Sequence, residues 1–116
     1  MSNEEILKAN KIICDFMGLP TMVNSRGYLI IKPETGLEFD YVNYHLSWDK
    51  LMNVVDRIET ELMTTVVILK DKCQITKFTE KSIPEFAKTV EANNKIKATW
   101  LCVVEYVNWH NKRVSQ

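Results

Sequence analysis

Three cysteines and two histidines carry the sharpest intrinsic chemistry in this sequence, and their spacing argues against most uses of it. Cys14, Cys73 and Cys102 lie far apart, and His45 and His110 each stand alone. No Cys-x-x-Cys or His-x-x-x-His pair occurs, so the local pairing that usually marks a zinc site is missing. A metal site would have to assemble from distant groups such as His45, Asp40 and a cysteine. Nucleophilic catalysis needs a nucleophile, a base and an orienting group that meet in space. Cys102 with a histidine, or His45 with one of the cysteines, is the pairing to consider, and Glu105 would need a second acid for hydrolytic work. The commoner behaviour stands against these: Cys14 and Cys102 occupy helical positions beside apolar neighbours, where cysteine acts as a small hydrophobe. The three glycines, at 18, 27 and 36, are too sparse for G-x-G-x-x-G or the phosphate-cradling G-x-x-x-x-G-K-S/T. The expectation is a protein with no metal and no cofactor, one that binds and does not catalyse.

Two other groups of side chains suit binding. Lys70, Lys72, Lys77 and Lys81 cluster along a hairpin pattern, and Lys95 and Lys97 open the last helix. Lysines so placed grip phosphates, with nearby rings available for stacking; they also keep an edge strand soluble and unpaired. Only three arginines and a net charge of zero weigh against nucleic acid. Tyr44, Trp48, Trp100, Tyr106 and Trp109 are many large aromatics for helices that need one buried face, and such residues are enriched at binding hot spots. Trp48 and Trp100 sit on apolar stripes. Tyr106 and Trp109 are the better candidates for a protein-binding surface, and a homo-oligomer paired through the last helix would use the same two.

Size and composition set the frame for these groups. At 116 residues the chain is long enough for one core and too short for two, so residues 1–116 are read as a single globular domain. Charge is unevenly spread. Residues 1–62 carry 6 basic and 10 acidic side chains, a balance of −4, and residues 63–116 carry 9 and 5, a balance of +4. Apolar runs stop at about four residues, far short of the roughly 20 needed to cross a bilayer. The polar, acidic opening lacks the layout of a secretory signal, and an odd number of unpatterned cysteines suits free thiols. A cytoplasmic location without membrane contact is therefore expected.

The elements that must position these residues read as follows. Ser2 and Glu5 form a capping box for a helix over 3–17, with Ile6, Ala9, Ile13, Phe16 and Met17 on one face and Gly18 as its stop. Tyr28 to Ile31, a turn at Pro33 to Gly36, and alternating Leu37, Phe39 and Tyr41 suggest a hairpin. Ser47 caps a helix over 47–62, whose stripe is Trp48, Leu51, Val55, Ile58 and Leu62. A second hairpin spans 65–78. A short helix is expected to start near Ser82-Ile83-Pro84, with Phe86 and Val90 inward. The last helix runs over 95–111 and is apolar on two sides, with Ile96, Trp100, Val103, Val104 and Val107 on one and the line Ala98, Cys102, Glu105 and Trp109 on the other. Such a helix is either sandwiched in the core or offers one side to a partner. The fold class is α+β, a small antiparallel sheet of hairpins packed against three main helices.

Two of these helices carry a resemblance. Trp48-x-x-Leu51-Met52-x-Val54-Val55-x-x-Ile58-Glu59, and Ile96-x-Ala98-x-Trp100-x-x-Val103-Val104-Glu105 ending in aromatic-Asn, resemble a pair of helices found in small phage- and prophage-encoded proteins of unassigned function. The likeness covers about a third of the chain and brings no catalytic residues with it. It implies an accessory factor that binds a host protein. Anti-CRISPR proteins are prominent in that class. The resemblance therefore implies an inhibitor of a bacterial RNA-guided defence nuclease, bound stoichiometrically to the nuclease, its guide RNA or both. A self-associating structural or regulatory phage protein is the alternative.

Overall fold

Local signals start and stop the first helix where the sequence puts them. In the computed structural model, which describes residues 1–32 and 41–114, α1 spans Asn3–Phe16. Ser2 Oγ accepts the Glu5 N–H (3.1 Å), and Glu5 Oε1 accepts the Ser2 N–H (3.4 Å), closing the capping box. At the other end Gly18 takes a φ of +71°, and the Gly18 and Leu19 N–H groups return to Asp15 O and Cys14 O. That is a Schellman stop, which favours glycine because a Cβ is strained at positive φ.

The chain then forms a small antiparallel pair, β1 (Thr21–Val23) with β2 (Leu29–Ile31). The expected partner of β2 falls mostly on residues 33–40, which lie outside the described residues, as does the turn at Pro33 to Gly36. Tyr41, at the end of that expected strand, does meet Ile30 in an antiparallel bridge. Ser47 caps α2 (Trp48–Glu59), accepting the Lys50 N–H at 3.4 Å. Leu51, Val54, Val55 and Ile58 are fully buried, each contributing about 1.5–3 kcal/mol by leaving water. The helix stops at Glu59, and Met63, at a φ of +62°, then turns the chain into the sheet. Leu62, expected on the buried stripe, is thereby pushed into solvent, and Trp48 at the other end is also exposed.

Strands β3 (Thr64–Ile68), β4 (Lys72–Phe78) and β5 (Pro84–Glu91) form one antiparallel sheet in that order. The expected short helix after Ser82 is therefore a strand. Phe86 and Val90 do share a face, as expected, but the period behind it is two, because side chains four apart lie together on a strand as well as on a helix. Register decides the matter: Val90 opposes Cys73, Lys88 opposes Ile75 and Phe86 opposes Lys77. Pro84 is tolerated as the first residue of an edge strand.

The last helix, α3 (Lys95–Val114), lies between layers. On one side Trp100 Nε1 donates to Asn10 Oδ1 of α1 at 2.8 Å; on the other Cys102 Sγ donates to Lys88 O of β5 at 3.6 Å. Of the two readings of a helix apolar on both sides, the sandwiched one is observed. The result is an α+β fold in which the sheet, α3 and α1 stack in that order, with α2 packed along β3 and α3. Among the described residues no helix is long and apolar enough to cross a membrane.

Candidate functional site

Strand direction sorts the six lysines into two ends, roughly 20 Å apart over the length of β4. Lys70, Lys72, Lys95 and Lys97 gather at one end. There the Ala92 N–H donates to Asp71 O (2.9 Å), tying the β3–β4 turn to the connection that leads into α3. Lys72 pairs across the sheet edge with Glu91 at 3.0 Å. Lys70, Lys95 and Lys97 are exposed and form no ion pair with any described residue. Asn94 caps α3, its Oδ1 accepting the Lys97 N–H at 2.8 Å, so both lysines sit in the first turn, which holds no acidic residue. The helix macrodipole is positive there, and each cation opposes it by about 0.3–1 kcal/mol. The fold gains nothing from this placement, whereas an anion beside it would meet the lysines and the dipole together.

Lys77 and Lys81 lie at the opposite end. Lys77 is largely buried and its three protons are taken: Glu61 Oε2, Leu62 O and Thr64 Oγ1 each accept at 3.2 Å. It is therefore not free to hold a phosphate. Glu61 is the hub of this cluster. Its Oε2 also accepts from Tyr106 OH at 2.5 Å, and its Oε1 lies 3.2 Å from His110 Nε2. Burial pushes the Glu61 carboxyl up, but hydrogen bonds from Tyr106 and Lys77 and the charges of His110 and Lys77 outweigh it and leave the group below its usual range. Burial, followed by Glu61, pushes the Tyr106 phenol above the tyrosine range.

The two aromatics expected at a protein surface converge on this same cluster. Tyr106 is fully buried, against Phe86 in an edge-to-face contact at 5.3 Å. Trp109 is half-buried between Phe86 (5.2 Å) and the Arg113 guanidinium (5.4 Å). Lys77, Tyr106 and Trp109 therefore hold α2, the sheet and α3 together.

The three cysteines are all buried, and His45 has a hydrogen-bond partner of its own. Cys102 neighbours Cys73 and the Lys88 carbonyl, and contact with Cys73 together with burial pushes its thiol up, which keeps it neutral and weakly nucleophilic. Cys14, also buried, donates to Tyr44 OH at 4.0 Å. His45 Nδ1 lies 3.0 Å from Asn10 Nδ2, and since Asn10 Oδ1 accepts from Trp100, the amide donates and His45 Nδ1 is the bare nitrogen. Burial lowers the His45 pKa and favours that neutral ring. Asp40 lies outside the described residues, and among the described ones no three His, Cys, Asp or Glu side chains converge as metal ligands. Glu105 is exposed on α3.

The second end also carries a groove that no spacing in the sequence signals. Leu62, Met63, Phe78 and Ile83 form the apolar part of the lining of a groove of about 500 Å³ between the α2–β3 connection and the β4–β5 turn, the rest of the lining being polar or charged. Leu62, Met63 and Ile83 are exposed by 70%, 42% and 58%. The connection and the turn each contain a non-glycine residue in the left-handed region, Met63 and Ser82, both at φ +62°. That conformation costs about 1–2 kcal/mol per residue. Helical spacing assigned Leu62 to the core, and only the break of the helix at Glu59 releases it.

No protein-family model matches the sequence, and no curated protein matches it. The chain is similar in structure to a phage protein from Bacillus cereus ATCC 14579, with a TM-score of 0.48 and 18% identity over 93% of this chain and 92% of that one. At that distance nothing about activity or partners passes from one to the other.

Proposed function

We propose that this chain is a non-enzymatic, phage-derived binding protein that inhibits a bacterial RNA-guided defence nuclease by stoichiometric binding, with its basic end on the phosphates of the guide RNA. The observation that carries the reading is the gathering of Lys70, Lys95 and Lys97, unpaired with any described acid, on the positive end of α3. Charges that oppose the helix dipole are explained by an anionic partner. The phage setting comes from the resemblance of the two main helices to phage-encoded proteins. The non-enzymatic reading is supported by the burial of all three cysteines and by the engagement of His45 Nδ1 with Asn10.

The test is a pull-down of tagged protein from lysate of a host that expresses a guide-RNA nuclease, with and without RNase, beside the Lys70→Glu/Lys95→Glu/Lys97→Glu variant. Recovery of the nuclease with its guide by the native chain, and loss of both by the variant, is the expected result. Equal recovery by the variant would remove the basic end from the mechanism. Self-association through Tyr106 and Trp109 is less well supported, because one is buried and the other packs against Phe86 and Arg113. A monomer at high concentration would end that reading.

A further inference from the structure

We propose that the groove between the α2–β3 connection and the β4–β5 turn is a second docking site, for a short, uncharged, apolar segment of a partner protein. Exposed Leu62, Met63 and Ile83 line it with Phe78, and the charged side chains of Lys77, Glu80, Lys81 and Glu85 rim it. Isolated apolar side chains on a surface are ordinary, but several around one concavity mark an interaction site. The groove is also held rigid. Lys77 Nζ grips Leu62 O, and Met63 O accepts the Phe78 N–H at 3.1 Å. Across the groove Thr79 Oγ1 accepts the Lys81 and Ile83 N–H groups at 3.3 and 3.2 Å. Both left-handed residues, Met63 and Ser82, are thus fixed in conformations the chain would otherwise avoid, and backbone strain of this kind concentrates at functional sites. A rigid groove is ready for its ligand without the entropy cost of ordering a loop.

Charge and size select the occupant. Around the groove Lys77 is neutralised by Glu61 and Glu85 by Arg113, and exposed Glu80 stands beside exposed Lys81. With both signs balanced, the groove offers a polyanion no attraction, in contrast to the basic end. A second copy of this chain would need roughly 800 Å² per partner for a stable dimer, more than four apolar side chains supply. A volume of about 500 Å³ suits one or two large apolar side chains carried on a single segment. The inference rests on the reading of the chain as a binding protein, and not on the identity of its target.

The experiment is amide NMR of the full chain titrated with three probes. One is a short capped peptide carrying Leu and Phe two residues apart in a Gly-Ser frame, one is the same peptide with both replaced by Ser, and one is a uridine oligonucleotide. The Leu/Phe peptide is expected to move the signals of Met63, Phe78, Thr79 and Ile83 and the Ser peptide to move none. Leu62→Ser and Ile83→Ser, exposed positions whose change leaves the core intact, should each weaken the peptide by about tenfold. No shift at these residues, or equal binding by the Ser variants, overturns the proposal. The same signals moving with protein concentration alone would replace the partner segment with a second copy and overturn it too. The oligonucleotide reports on the basic end through Lys70, Lys95 and Lys97, so failure there leaves the groove standing, and the reverse holds.

Discussion

Glu61 receives hydrogen bonds from the Lys77 ammonium and the Tyr106 hydroxyl and faces His110, and the pH dependence of stability follows from that position. Its folded pKa lies below the ordinary value of 4.5, so its contribution is complete above that value and is lost as pH falls through the folded one. His45, lowered from 6.5 by burial, behaves in the same sense and begins to weaken the fold at higher pH than Glu61 does. Tyr106, raised from 10.0, adds stability that is complete below that value and lost as pH rises beyond it. Chemical denaturation across pH should therefore show a plateau from roughly pH 7 to 9, an acid limb in two parts and an alkaline limb. Glu61→Gln should cost about 1.5–3 kcal/mol at pH 7 and flatten the lower part of the acid limb; an unchanged limb would mean that Glu61 does not titrate as described. Asn10→Leu strands the Trp100 indole N–H and should cost about 1–3 kcal/mol in a urea melt. Neither residue stood out in the sequence. A buried asparagine looks like any polar helix position, and nothing marks Glu61 as the partner of a lysine sixteen residues later. Lys77 read as a phosphate ligand for the same reason: sequence shows the charge and hides what neutralises it.

Elements were legible where one period was unbroken. The caps at Ser2 and Ser47 and the stripe through Leu51, Val55 and Ile58 lie where spacing puts them. The failures have two causes. Phe86 and Val90, four residues apart, fit a helix and a strand equally, and the register with β4 decides between them. Residues 60–63 continue a helical stripe, yet Met63 turns left-handed without a glycine to announce it. That strain makes a prediction: Met63→Gly should stabilise the chain by about 0.5–1 kcal/mol in thermal or urea unfolding, the relief of positive φ exceeding the entropy cost of glycine. A destabilised variant would show that the Met63 side chain packs more than its exposure indicates. The two-sided apolarity of α3 was visible, but whether the second side met the sheet or a partner depended on the β5 strand that the sequence did not reveal.

At the scale of the whole molecule, the two ends of the three-stranded sheet differ in chemistry, one basic and poorly neutralised, the other apolar and balanced. The lysines were legible as a group and not as two groups, because only strand direction separates Lys77 and Lys81 from the rest. If the basic end serves a polyanion, stability and binding must respond to charge in opposite directions. Lys95→Glu and Lys97→Glu should each leave the fold as stable as before or firmer by about 0.3–1 kcal/mol, since acids suit a helix N-terminus. Binding of RNA by the native chain should weaken with salt, with a log–log slope near −2 for three phosphate contacts to a single strand. The most direct measurement compares the native chain with Lys70→Glu/Lys95→Glu/Lys97→Glu for inhibition of a guide-RNA nuclease and for unfolding in urea. The variant is expected to lose inhibition while unfolding at the same or a higher urea concentration. Full inhibition by a stably folded variant would contradict the proposed role of the basic end.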